Sequence, residues 1–159
     1  MTCGLEAIGK SQTWHQPSFQ VLAIADGEEV WVTETNLWKY AHSVTKVKLS
    51  NRGLNEIPTI VFQLPNLKQL DLSRNTICSL PRDILDMTQL EVLDLSKNFL
   101  ENFPEVPNSL KQIYLKGNQI RDVLDLSGSQ LSIVDLVDNP IESFDSSCFP
   151  EGAKVVINR

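Results

Sequence analysis

The stretch from Leu64 to Pro104 reads LPNLKQLDLSRNTICSLPRDILDMTQLEVLDLSKNFLENFP, and it holds one pattern twice. From Leu67, apolar residues fall at +3, +5, +10 and +13 as Leu70, Leu72, Ile77 and Leu80, with Asn75 at +8. From Leu90 the pattern returns as Leu93, Leu95, Leu100 and Phe103, with Asn98 at the same offset. Downstream it continues as Leu110, Ile113, Leu115, Asn118, Ile120, Val123, and then as Leu131, Val134, Leu136, Asn139, Ile141, Phe144. Upstream, Val44, Val47, Leu49, Leu54 and Ile57 keep the apolar positions but set Arg52 where Asn stands elsewhere. The starts at 44, 67, 90, 110 and 131 are spaced 23, 23, 20 and 21 residues apart. A fixed period of this size is the mark of a repeat architecture.

Each position has a physical reason. The +3 and +5 residues alternate as a strand requires, so both point into the core. Asn follows where the chain turns, and its amide both donates and accepts, so it can satisfy turn backbone of its own and neighbouring repeats. Asn75, Asn98, Asn118 and Asn139 are therefore expected to stack as a ladder, and losing one should cost about 1–3 kcal/mol. The residues at +10 and +13 refill the core under the opposite side. Pro58, Pro81 and Pro104 follow the +13 residue and favour an irregular or extended segment there. One unit cannot bury its own apolar face, so each leans on its neighbours.

The expectation is an α/β repeat solenoid with one parallel strand per turn and a largely irregular convex side. Its parts are a flexible lead at 1–16, a cap at 17–43, five repeats at 44–151, and a partial sixth strand or C-terminal cap at 152–159. In the cap, Phe19 to Ala25 and Glu28 to Thr33 read as strands around Asp26-Gly27, a type I′ hairpin signal. That turn places Leu22 near Trp31 and Val21 near Val32. Thr35 or Asn36 could then cap a short helix through Leu37, Trp38 and Tyr40. The unit reads as a lid on the first repeat, closed by Trp38 or Trp31, or else as a docking motif of its own. Val155 and Ile157 resemble the start of a further strand, which a longer chain would continue.

Residues 44–144 resemble the leucine-rich-repeat superfamily. The wording of Leu64–Pro104 looks like the 23-residue, proline-ended repeats of the intracellular Ras-group class. PEVPNSLKQIYLKGNQI, Pro104 to Ile120, is similar to the shorter repeats of bacterial effector ubiquitin ligases. The resemblance implies a curved right-handed solenoid, a parallel sheet on its concave face and protein binding as the usual role. It names no partner.

The outward residues of the sheet are expected at +2, +4 and +7. The +2 column reads Lys46, Gln69, Val92, Gln112, Ile133, and the +4 column Lys48, Asp71, Asp94, Tyr114, Asp135. The +7 column reads Asn51, Arg74, Lys97, Gly117, Asp138. Asp71, Asp94 and Asp135 beside Arg74 and Lys97 make a mixed-charge field or a merely solvated face. Val92, Tyr114 and Ile133 are apolar or aromatic where water is expected, and Tyr is enriched among interface anchors. They mark a contact patch, with Tyr114 foremost, or ordinary scattered surface residues. Lys46, Lys48 and Arg52 give the first repeat a positive edge that could take an acidic or phosphorylated ligand, or simply aid solubility.

Composition narrows the classes. Net charge is −6 and the pI about 4.9, so nucleic acid is not the expected partner. No apolar run reaches the roughly 18 residues of a membrane span, and neither a secretory signal nor a myristoylation pattern is visible. Cys3, Cys78 and Cys148 lie far apart and no Asn-x-Ser/Thr sequon occurs, which suggests small buried thiols in a reducing, cytoplasmic setting. His15 and His42 stand without ligand-spaced partners, and no phosphate-cradling or nucleophile motif appears. No cofactor, metal or catalytic function is therefore expected, and His42 reads as a cap residue. The expected function is that of a monomeric scaffold or adaptor that binds another protein on its concave face. Alternatives are a targeting or regulatory subunit of a signalling enzyme, a recognition domain cut from a longer enzyme or receptor, and a purely structural solenoid.

Overall fold

Two positive-φ residues, Asp26 (52°) and Gly27 (86°), start the fold. A type I′ turn needs both, and its twist matches that of the strands it joins. In the computed structural model, which describes residues 20–142 and 144–158, the turn joins β1 (Val21–Ala25) to β2 (Glu28–Val32). Leu22 pairs with Trp31 and Val21 with Val32, the register read from the Asp-Gly pair. The lead at 1–16 with Cys3 and His15, and the strand residue Phe19, lie outside the described residues.

A single-turn helix, α1 (Leu37–Tyr40), follows. Asn36 flanks it without a side-chain cap bond. Its Oδ1 instead accepts from the Thr33 amide at 2.7 Å, and its Nδ2 donates to the Trp31 carbonyl at 3.0 Å. It fastens the helix to the hairpin.

Six short strands then recur, one per coil: β3 (Val44–Lys48), β4 (Gln69–Asp71), β5 (Val92–Asp94), β6 (Gln112–Tyr114), β7 (Ile133–Asp135) and β8 (Lys154–Val156). All eight strands form one sheet in the order β2-β1-β3-β4-β5-β6-β7-β8. Strand β1 runs antiparallel to both neighbours, and every pairing from β3 onward is parallel. The last strand, β8, sets Val155 inward and half-buried and leaves Val156 exposed. Among the described residues this is a repeat solenoid with one parallel strand per coil and little helix.

The repeat leucines fill its core. Leu70, Leu72, Leu90, Leu93, Leu95, Leu110, Ile113, Leu115, Val134 and Leu136 are essentially without solvent contact. On the convex side, Pro58 and Pro81 hold extended backbone and open short 3-10 helices at Thr59–Gln63 and Arg82–Asp86. Both fall in the 23-residue repeats, whose extra length they take up.

Three expectations are corrected. Neither tryptophan lids the first repeat: Trp38 is 81% exposed and Trp31 49%. Pairing with Leu22 puts Trp31 on the opposite face from buried Val32, and Val21, Ala23, Ala25 and Val32 do the covering, helped by Leu37 and Tyr40. Phe144, expected inward at +13, is 43% exposed and meets Phe149 edge-on, their rings 5.9 Å apart. Phe149 is the one buried beneath that coil. Cys78 and Cys148 are half-buried, not fully buried.

Candidate functional site

The outward face is held in place by the turn on its far side. Asn98 shows how. Its Oδ1 accepts from the Ile77 amide of the preceding repeat at 3.0 Å, and its Nδ2 donates to the carbonyls of Leu72 and Leu95, both at 3.0 Å. Asn75, Asn118 and Asn139 make the same bonds one coil away: to Arg52 N, Leu54 N and Leu49 O; to Leu100 N and Leu95 O; and to Ile120 N and Leu115 O. Asn75, Asn98 and Asn118 are buried, and Asn139 is half-buried. Every rung reaches backwards. The first repeat has only the antiparallel β1 behind it, so position 52 has no parallel coil to bond, and Arg52 is tolerated there.

The +7 column is not part of the strand. Asn51, Arg74, Lys97 and Asp138 have φ of 56–57°, and Gly117 has 70°. They form a left-handed corner just after the strand. Their amides carry the parallel ladder onward, Arg74 N to Ser96 O at 2.8 Å and Gly117 N to Val137 O at 2.8 Å. Arg74 and Lys97 thus stand on a rim beside the sheet. The mixed-charge field resolves differently as well, because among the described residues neither cation forms an ion pair with an aspartate of the sheet. The aspartates brace their own turns. Asp71 accepts from the Ser73 amide and hydroxyl at 3.0 and 2.7 Å, Asp94 from Ser96 N at 2.9 Å, and Asp135 from Val137 N at 3.0 Å. Such side-chain bonds two residues on stabilise a turn without any ligand.

The sheet brings the remaining candidates into adjacent rows. Gln69, Val92, Gln112 and Ile133 are successive register partners, as are Asp71, Asp94, Tyr114 and Asp135. Val92, Tyr114 and Ile133 are half-buried. The Tyr114 hydroxyl donates to Gln112 Oε1 at 3.1 Å, which fixes the ring against its own strand. A shallow depression of about 160 Å³ gathers Lys46, Gln69, Asp71, Val92, Asp94 and Tyr114. Ile133, Gln112 and Asp135 lie beyond it on the same face. The signal for the left-handed corner was present in Asn51, Gly117 and Asp138, residue types that adopt positive φ. Arg74 and Lys97 hid it.

Two convex carboxyls have shifted acidity. Hydrogen bonds from the side chain and amide of Ser127 hold Asp125 below the usual carboxylate range, and those from the amide and side chain of Ser147 do the same for Asp145. His42 is exposed at the junction of cap and first repeat, where its carbonyl accepts from Asn66 Nδ2 at 2.8 Å. Among the described residues no group of His, Cys, Asp and Glu could hold a metal, and no helix is long and apolar enough to cross a membrane.

Comparison with known proteins agrees with this geometry. The family model described as Leucine rich repeat matches residues 42–100. Among solved structures, the chain is similar to a TLR13–ssRNA13 complex, at 23% identity and a TM-score of 0.58 over 80% of this chain. It spans only 20% of that chain. It is also similar to the leucine-rich-repeat ectodomain of the receptor kinase SOBIR1 from Arabidopsis thaliana, at 24% identity and a TM-score of 0.52, covering 89% of this chain and 84% of that one. No curated protein matches the chain. Residues 42–100 thus match the leucine-rich-repeat superfamily, and the solved structures share the fold over most of this chain. Domains of that superfamily generally mediate protein–protein interaction.

Proposed function

We propose that this protein is a binding module, not an enzyme, and that it holds a protein partner on the concave face of its sheet as a scaffold or adaptor. The observation that carries this reading is the half-buried cluster of Val92, Tyr114 and Ile133 on one rigid surface, with the depression beside it. A few aromatic and aliphatic anchors usually dominate the energy of such an interface. Tyr114 is the central anchor: its ring offers contact area, and its tether to Gln112 lowers the entropy lost on binding. Gln69, Gln112 and the rim cations Arg74 and Lys97 supply polar contacts around it. The superfamily's usual role supports the class of function, as analogy alone.

The test is affinity capture with the intact chain beside a Tyr114→Ala variant. The substitution removes a half-buried ring on the outward face, so the fold should persist. Affinity should fall by about 2 kcal/mol or more, roughly thirtyfold. Equal affinity of the two proteins for a captured partner would remove the reading.

A further inference from the structure

The outward face does not stop at the first repeat. Leu22 pairs with Lys48 on one side and Trp31 on the other, and Ile24 pairs with Lys46 and Glu29. Directly opposed residues share a face of the sheet, so Leu22, Ile24 and Trp31 lie in one surface with Lys46 and Lys48. Leu22 and Ile24 are half-buried and Trp31 is 49% exposed. The Arg52 guanidinium stands 5.5 Å from the Trp31 ring centroid, within cation–π range. Cap and first repeat thus build one apolar platform edged by cations.

The charge of this platform runs against that of the chain, which carries −6 overall. Glu29 neutralises Lys48 through an ion pair. Lys46 and Arg52 form no ion pair among the described residues, and neither do Arg74 and Lys97 farther along the rim. Unpaired cations beside an exposed indole are the complement of carboxylates flanking an apolar side chain. A continuous polyanion fits less well. The carboxylates of Asp71 and Asp94 share the depression with Lys46 and would repel an unbroken phosphate backbone, whereas discrete acidic side chains can avoid them.

We propose that the cap end of the concave face docks a protein segment that carries carboxylates beside an apolar residue. The apolar side chain rests on Trp31, Leu22 and Ile24, and the carboxylates meet Lys46, Arg52 and Arg74. This inference rests on the docking role given to the sheet under Proposed function, and it gives the cap a share of the binding surface in addition to its covering role.

The probe is a short fluorescein-labelled peptide with glutamates on both sides of a leucine–phenylalanine pair, read by fluorescence polarisation on the full chain. Controls replace its glutamates by glutamine or by lysine, and a labelled oligothymidylate stands for nucleic acid. The acidic peptide should bind roughly tenfold more tightly than the glutamine version, and less tightly as salt rises. Trp31→Ala and Arg52→Glu should each weaken it about tenfold, because both remove exposed contacts at the platform. Circular dichroism of both variants should match the parent. Equal binding of the glutamine peptide, no effect of either variant, or tighter binding of oligothymidylate would overturn the proposal. Self-association of the chain abolished by Trp31→Ala would overturn it too, by giving the platform to a second copy. Tyr114→Ala should weaken the peptide far less than it weakens a captured partner, because Tyr114 borders the depression of Lys46 but lies on a different strand from Trp31, Leu22 and Ile24. A failed peptide experiment therefore leaves the Tyr114 capture result standing, and the reverse also holds.

Discussion

Replacing Asn98 by Ala tests the ladder at one of its two most buried rungs, and the cost can be worked from the bonds around it. Asn98 is 3% exposed. The carbonyls it serves do not lose everything: Leu72 O still receives Asn75 Nδ2 at 2.8 Å, and Leu95 O still receives Asn118 Nδ2 at 2.9 Å. The Ile77 amide is different. Asn98 Oδ1 is its acceptor, and Ile77 itself is fully buried, so water cannot easily take over. An orphaned buried amide costs about 1–3 kcal/mol, and thinning two shared acceptors adds a few tenths each. The sum is roughly 2.5 kcal/mol, or about 5–10 °C in melting temperature for a chain of this size. Asn139→Ala serves as the internal control. Its rung is half-buried, so water can replace part of what is lost, and about 1 kcal/mol is expected. Urea unfolding followed by far-ultraviolet circular dichroism, at matched slope, measures both. A loss below about 0.5 kcal/mol at Asn98, or equal losses at the two sites, would refute the account of the ladder.

Arg74→Gly should stabilise the chain by up to about 1 kcal/mol, because it removes the penalty of an L-residue at a φ of 57°; a lower melting temperature would contradict this. Leu93→Ala, at a position with no exposed surface, should cost about 3 kcal/mol in urea unfolding through transfer and cavity terms. Asp125 and Asp145 should titrate below the ordinary aspartate value in carbon-detected NMR. Their folded-state pKa is lowered, so any stability they lend is present above the ordinary carboxylate pKa and fades as pH falls through the folded one. Ser127→Ala should return Asp125 toward its usual value.

The coil was legible because inward leucines and turn asparagines recur at fixed offsets, and both answer to backbone geometry that no distant contact can override. The hairpin register was legible for the same reason, since Asp26-Gly27 admits few turns. What failed were readings made one residue at a time. Trp31 and Trp38 were sent inward on hydrophobicity, although the alternation of Val30, Trp31 and Val32 already put Trp31 on the other face from its neighbours. Phe144 was sent inward on its offset, but Phe149, outside the period, took that place. Arg74 and Lys97 passed for strand residues because their charge concealed a corner that only the column of Asn51, Gly117 and Asp138 announced. The aspartates of the sheet passed for a charged surface because a bond to the amide two residues on leaves no mark in composition.

The antiparallel pairing of β1 with β3 gives the molecule a polarity. Between β3 and β8 every junction between coils is of one kind, so an extra unit of 20 to 23 residues spliced there would meet the same parallel edge on both sides. Spliced between β1 and β3, it would take over the antiparallel edge that β3 now meets, and its turn asparagine would find no earlier parallel coil to bond. Lengthening this protein, by design or by gene duplication, is therefore simplest among the parallel coils, where an added asparagine finds the same backbone to bond as its neighbours do.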